Sequence, residues 1–153
     1  MKIPDNFTID NIDNFPVSFI FTTISRQHTL FLKHHVEKYD ITPGEHPIIM
    51  KLYHDSSKTQ QEIAESFCIT GGTVARTVRK LEEKKIIERT IDENNRRQNF
   101  ISLTEKGKKI AKEIKNIEKE WENIVCDFMS EEELDSFKKI LHKITINSFE
   151  SNK

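Results

Sequence analysis

The chain has 153 residues, 35% of them hydrophobic and 32% charged, with a formal net charge of −1. That length supports one compact domain with a real core, and ten Phe and one Trp argue against disorder. A near-neutral balance excludes a bulk polycation, and no apolar run approaches the ~20 residues that span a bilayer.

Phe15 to Tyr39 opens the chain's regular structure, with Phe21, Ile24, His28, Phe31, His35 and Tyr39 recurring at helical spacing. Arg26 is the only formal charge between Phe15 and Leu32, so this helix is expected to be covered on most sides. Thr42-Pro43-Gly44-Glu45 has capping-box chemistry and predicts a second helix to about His54; Pro47 lacks a donor and moves its regular start to near His46. Thr59-Gln60-Gln61-Glu62 repeats the box and starts a short helix to about Phe67, with Ile63, Ala64 and Phe67 inward. Thr70 caps the next helix, Gly71 to Lys85, whose inward positions are Val74, Val78 and Leu81.

Ile86 to Ile91 and Gln98 to Leu103 read as two β-strands joined by the polar tip Asp92-Glu93-Asn94-Asn95-Arg96-Arg97. Thr104 caps a long helix with apolar residues Ile110, Ile114, Ile117, Trp121, Ile124 and Phe128, a coiled-coil-like seam in steps of 4, 3, 4, 3 and 4. Ser130-x-x-Glu133 opens a last helix with Leu134, Phe137, Leu141 and Ile144 on one face. The order implies a mainly α fold with a small β-hairpin wing: a winged helix-turn-helix with N- and C-terminal dimerisation helices. The whole chain, 1–153, is read as a single domain, with the winged helix-turn-helix lobe at about 42–104 and the dimerisation helices at about 7–40 and 105–150.

Charge is segregated onto this lobe. Thr70 to Lys109 holds 11 Lys+Arg against 6 Asp+Glu, a net +5, which leaves −6 for the rest of a −1 chain. A recognition helix needs short polar residues where it meets the groove floor and cations that reach guanine edges or phosphates. Thr70-Gly71-Gly72-Thr73 gives a start free of bulk, and Thr73, Arg76, Thr77 and Lys80 share one cationic face opposite Val74, Val78 and Leu81. Two glycines at a helix start cost about 1 kcal/mol each in propensity, which asks for a compensating reason. Arg96 and Arg97 at the hairpin tip suit the narrow minor groove. With Thr59 and Gln60 at the preceding helix start, these residues form the candidate DNA-binding set: Thr59, Gln60, Thr70, Gly71, Gly72, Thr73, Arg76, Thr77, Lys80, Arg96 and Arg97.

The runs TQQEIAESFCIT, GTVARTVRKLEEKKIIERT and RRQNFISLTEKG resemble the MarR family of winged-helix transcriptional regulators. The resemblance is most specific over Thr59 to Gly107 and extends to the layout of two helices before the module and two long ones after it. It implies a homodimer with interlocked terminal helices on a pseudo-palindromic double-stranded operator, usually as a repressor, often released by a small aromatic ligand or an oxidant. The apolar first, fifth and last helices support a dimer independently. Three positions depart from the family pattern: Asn95 and Arg79 stand where Asp is common, and Lys85 where Gly is common. The usual Asp–Arg bridge from recognition helix to wing is therefore unsupported, and Arg79 is expected either to add a phosphate contact or to point away.

The resemblance places an effector pocket between the dimer helices and the DNA-binding lobe. The candidate ligand-binding residues are His28, Phe31, His35, Tyr39, Met50 and Tyr53, for a phenolic or aryl carboxylate ligand, with ordinary core packing as the competing reading. No cofactor or metal is expected. Cys68 and Cys126 give no disulfide framework or metal spacing; Cys68, in the turn before the recognition helix, is expected to be buried and inert rather than a thiol switch, and His34 and His35, adjacent on a helix, point about 100° apart and do not easily share one metal ion. No phosphate loop, metal cluster or nucleophile motif supports an enzyme. The rival to a DNA-binding regulator is a winged-helix protein-interaction module of the transcription machinery. The start MKIPDNFTIDNIDNF lacks the apolar core of a secretory signal, so a cytoplasmic protein is expected.

Overall fold

The computed structural model describes residues 3–91 and 99–151. In chain order it has a short 3-10 helix at Ile9–Asn14, α1 at Val17–Val36, a second 3-10 turn at Glu37–Tyr39, α2 at His46–Asp55, β1 at Ser57–Thr59, α3 at Gln60–Phe67, α4 at Gly71–Glu83, β2 at Ile87–Ile91, β3 at Asn99–Leu103, α5 at Glu105–Val125 and α6 at Glu131–Glu150. The chain divides into two compact units, Met1–Ile117 and Glu118–Lys153.

In the first unit, Phe7, Phe15 and Phe19 stack the N-terminal segment onto the start of α1, with ring centroids 4.9 Å (Phe7–Phe15) and 5.2 Å (Phe15–Phe19) apart. The tract Phe15 to Tyr39 is not one helix: α1 stops at Val36, and Asp40 takes a left-handed φ of 58° that turns the chain into the next loop. α1 is also less covered than its sparse charge suggests, since Phe21, Ile24 and Leu30 are exposed and only Leu32 and Val36 are buried. α2 begins at His46, the start Pro47 dictates. Its expected capping box is half formed: the Glu45 carboxylate accepts from both the Thr42 N–H (2.8 Å) and the Thr42 hydroxyl (3.0 Å).

The core of this unit runs from Leu32 and Val36 through Ile49, Leu52, Ile63, Val74, Val78 and Leu81 to Ile110, Ala111, Ile114 and Ile117. The sheet is three-stranded and antiparallel in the order β1-β3-β2, with Thr59 opposite Phe100 and Ile87 opposite Leu103. Two strands are expected from alternation; β1 is the third, defined only by its pairing with β3.

The start of α5 is locked against the end of α4. The Thr104 hydroxyl donates toward the carbonyls of Lys85 (2.8 Å) and Ile86 (3.1 Å), and Lys106 Nζ donates to the Lys84 carbonyl (2.9 Å). Gly107 is what lets the backbones meet: a Cβ there would collide with the Ile86 carbonyl oxygen.

In the second unit, Ser130 and Glu133 form the expected capping box for α6, and Lys138 pairs with Glu122 of α5 at 2.8 Å. α6 buries no residue; Leu134, Phe137 and Leu141 are half-buried, and Ile140, Ile144, Ile146 and Phe149 are exposed. Among the described residues, no helix is long and apolar enough to cross a membrane.

Candidate nucleic-acid interface

The site is assembled from α3, α4 and the strands that follow. α3 opens with a complete capping box: Thr59 Oγ1 accepts from the Glu62 N–H (3.2 Å) and the Glu62 carboxylate accepts from the Thr59 N–H (2.8 Å). The Thr59 N–H and hydroxyl bonds hold the Glu62 carboxyl below its ordinary pKa. Thr59 is therefore not the exposed contact the sequence places in the DNA-binding set. It is buried, and its hydroxyl fixes the first turn of α3, which leaves half-buried Gln60 as the helix-start residue facing outward.

α3 ends at Cys68 in a left-handed conformation (φ 51°), and the Ile69 N–H closes the turn on the Ala64 carbonyl. This corrects the expectation of a buried thiol: the chain leaves the helix at Cys68, which is exposed, while Cys126 is half-buried.

Thr70 then caps α4, its hydroxyl accepting from the Thr73 N–H (3.3 Å) and lying 3.0 Å from the Thr73 hydroxyl. Nothing lies within 4 Å of a Cβ built at Gly71 or Gly72, and neither has a positive φ. The fold itself does not require these glycines; their effect is a bare first turn with open N–H groups, the geometry that accepts a phosphate or a close duplex.

The two faces of α4 separate cleanly. Val74, Val78 and Leu81 are fully buried, while Thr73, Arg76 and Lys80 are exposed and Thr77 is half-buried. Thr73, Arg76, Thr77 and Lys80, together with Arg79 and Glu83, line one open surface depression. Arg76 Nε reaches back to the Gly72 carbonyl (3.5 Å), and Thr77 Oγ1 donates to that of Thr73 (3.1 Å).

The C-terminal end of α4 is anchored on three sides, an arrangement the sequence reading missed. Lys84 Nζ lies 3.0 Å from both carboxylate oxygens of Glu45 and 2.5 Å from the Asp40 carbonyl. Glu45 is only 3% exposed. Burial pushes its pKa up, but the Thr42 N–H, the Lys84 ammonium and the Thr42 hydroxyl outweigh that, and the carboxyl sits below the ordinary glutamate value. The third anchor is Glu82, which pairs with Arg89 on β2 at 3.0 Å. That pair joins recognition helix to wing strand where the absent Asp left the link unsupported. Arg79 pairs instead with Glu83 within α4 at 3.0 Å. Asn95, Arg96 and Arg97 lie outside the described residues.

The candidate ligand residues are partly brought together. Phe31 and His35 stack at 4.0 Å, His28 meets His46 edge-on at 6.5 Å, and Met50 is buried in the core. Tyr39 lines one cleft with Lys38, Asp40, Lys106, Lys109 and Ile110, and Tyr53 lines another with Leu52, Ser56, Glu88, Ser102, Leu103 and Lys108. Among the described residues no group of three or more His, Cys, Asp or Glu is placed to hold a metal ion.

The model of the MarR family matches residues 41–98, the span from the loop before α2 into the wing. The HTH-type transcriptional regulator BilQ of Clostridium symbiosum is 30% identical over 125 residues, covering 81% of this chain and 87% of that protein. The chain belongs to the MarR family. Another relative, the HTH-type transcriptional regulator MhqR of Bacillus subtilis, is 26% identical over 132 residues, 84% of this chain and 91% of that one. Among solved structures, this MarR-family chain is similar to the crystal structure of MarR, with a TM-score of 0.82 at 25% identity over 99% of this chain and 97% of that one. It is also similar to the MepR–DNA complex of S. aureus, with a TM-score of 0.76 at 32% identity over 87% of this chain and 98% of that one. The departure at Lys85 now has a physical meaning. Its φ is 57°, a conformation glycine adopts without a Cβ penalty, so this MarR-family member places a lysine where the turn after α4 favours the family's glycine.

Proposed function

We propose that this chain is a double-stranded-DNA-binding transcriptional regulator that acts as a homodimer on a pseudo-palindromic operator, usually to repress. The observation that carries the reading is the two-faced α4. Its buried face leaves Thr73, Arg76, Thr77 and Lys80 outward beside the bare Gly71-Gly72 turn. Threonines and an arginine at the open start of a helix match the chemistry of base edges and phosphates in the major groove, and the likeness to a MepR–DNA complex supports it. Gln60 and Thr70 flank this face, and Arg96 and Arg97, which precede β3 in the sequence, are proposed as minor-groove contacts.

A second copy of the chain is the occupant argued for the exposed apolar residues Ile124, Phe128, Ile140, Ile144 and Phe149, because a surface this apolar is covered in stable proteins, and a two-fold dimer presents two recognition helices to an inverted repeat. A small phenolic or aryl carboxylate effector is proposed beside the Phe31–His35 stack and Tyr39. Isothermal titration with salicylate-like compounds tests it: heat of binding together with weakened DNA affinity supports the proposal, and neither counts against it. The regulator is placed in the cytoplasm, where its operator would be.

Selection of bound duplexes from a random DNA pool tests the central reading. An inverted repeat with half-sites about one helical turn apart is expected. Recovery of no enriched sequence, with binding insensitive to salt, would favour a protein-interaction module instead.

A further inference from the structure

One cation on the outward side of α4 stands outside the DNA-contacting set. Arg79 lines the same depression as Thr73, Arg76, Thr77 and Lys80, and its side chain is 79% exposed. Its hydrogen-bond partner is Glu83, one turn further along, at 3.0 Å and with a side chain 62% exposed.

The neighbouring pair shows what a fold-bearing tie looks like here. Glu82 and Arg89 connect α4 to β2, and both side chains are more covered than those of Arg79 and Glu83. Arg79–Glu83 connects nothing beyond its own helix. An exposed i,i+4 pair contributes little to stability and exchanges readily with solvent. A guanidinium held this way can leave a carboxylate for a phosphate, whose oxygens fit the same planar fork.

We propose that Arg79 is a further DNA-contacting residue that binds a backbone phosphate, and that Glu83 competes with DNA for it, so that the pair sets affinity and salt dependence. The proposal rests on α4 facing DNA as proposed above. Glu83 has two effects in the same direction. It occupies Arg79 in the free protein, and once Arg79 turns to the phosphate it leaves an unpaired carboxylate beside the duplex. The Glu82–Arg89 pair already connects α4 to β2, so Arg79 is not needed for that connection. A phosphate contact carries no sequence information of its own, so it strengthens selected and scrambled sites alike.

The test uses the full chain and a duplex recovered by selection from a random pool, with a scrambled duplex beside it, titrated across a salt series. Arg79→Ala is expected to make the slope of log affinity against log salt shallower by about 0.9 on both duplexes, and Arg79→Lys, which keeps the charge, to restore it. Glu83→Gln is expected to tighten binding about two- to fivefold at low salt, and that gain is expected to shrink in an Arg79→Ala background, where only the repulsion of the unpaired carboxylate is left to remove. An unchanged slope in Arg79→Ala, or a Glu83→Gln gain that survives in full without Arg79, overturns the proposal; the second result would mean that Glu83 acts by general repulsion of DNA. Arg76→Ala is the control for the underlying reading. If it weakens sequence discrimination while Arg79→Ala leaves the slope untouched, the Arg79 proposal alone fails. If Arg76→Ala leaves discrimination intact, the α4 reading fails with it. Circular dichroism melting of each variant confirms that helix content is retained.

Discussion

The two halves of the α5 seam share one spacing and have opposite fates. Ile110, Ile114 and Ile117 are 6%, 0% and 6% exposed and belong to the core of the first unit. Continuing the same 4-3 steps, Trp121 is half-buried and Ile124 is 56% exposed, and Phe128, in the turn past the end of α5, is 75% exposed. Periodicity defines a face; it does not say what covers it. The first half of the seam is core, and the second half, with Ile140, Ile144 and Phe149 of α6, is what the proposed second copy would cover. The full-length dimer seam expected from the spacing is thus shorter than it reads.

Five substitutions test that contrast. Ile114→Ala removes a fully buried side chain and is expected to cost about 2–5 kcal/mol of folding stability, measured by urea unfolding; a cost under about 1 kcal/mol would mean that this half of the seam is not core. Lys84→Ala leaves the Glu45 carboxylate buried without its ammonium, for about 3 kcal/mol. The same site gives a pH signature. Because the folded-state pKa of Glu45 is depressed, its contribution is present above the unfolded value of about 4.3 and is lost as pH falls below it. Acid unfolding of Glu45→Gln should therefore be less steep in that window than that of the natural chain.

Phe128→Ala is expected to leave the first unit's unfolding unchanged and to weaken the dimer by about 1.5–3 kcal/mol, seen as a rise in dissociation constant by sedimentation. An unaltered dimer would take Phe128 out of the interface. The smallest effect is expected from Ser130→Ala, which removes one half of the α6 capping box and costs about 1 kcal/mol of helix stability.

What was legible in the sequence was local. The boxes at Thr59–Glu62 and Ser130–Glu133 and the Thr70 cap need only residues three apart, and all three form. The inward set Val74, Val78 and Leu81 follows from helical period alone and is fully buried. What was missed depends on distant partners. β1 is three residues with no alternation to announce it and exists through pairing with β3. Glu45 and Lys84 are 39 residues apart, and nothing in either stretch signals the other. Cys68 misleads because its neighbours are apolar, while the left-handed turn that ends α3 brings it to the surface. Thr59 carries two expectations, helix cap and DNA contact, and the box that fulfils the first engages the hydroxyl the second would use.

The most direct measurement is fluorescence anisotropy of the natural chain and Arg76→Ala on a selected duplex and a scrambled one at fixed salt. The account predicts that Arg76→Ala loses about 1–3 kcal/mol on the selected duplex and much less on the scrambled one, so that discrimination narrows. Equal affinity of both proteins for the selected duplex, with discrimination unchanged, would contradict the claim that the outward face of α4 reads DNA.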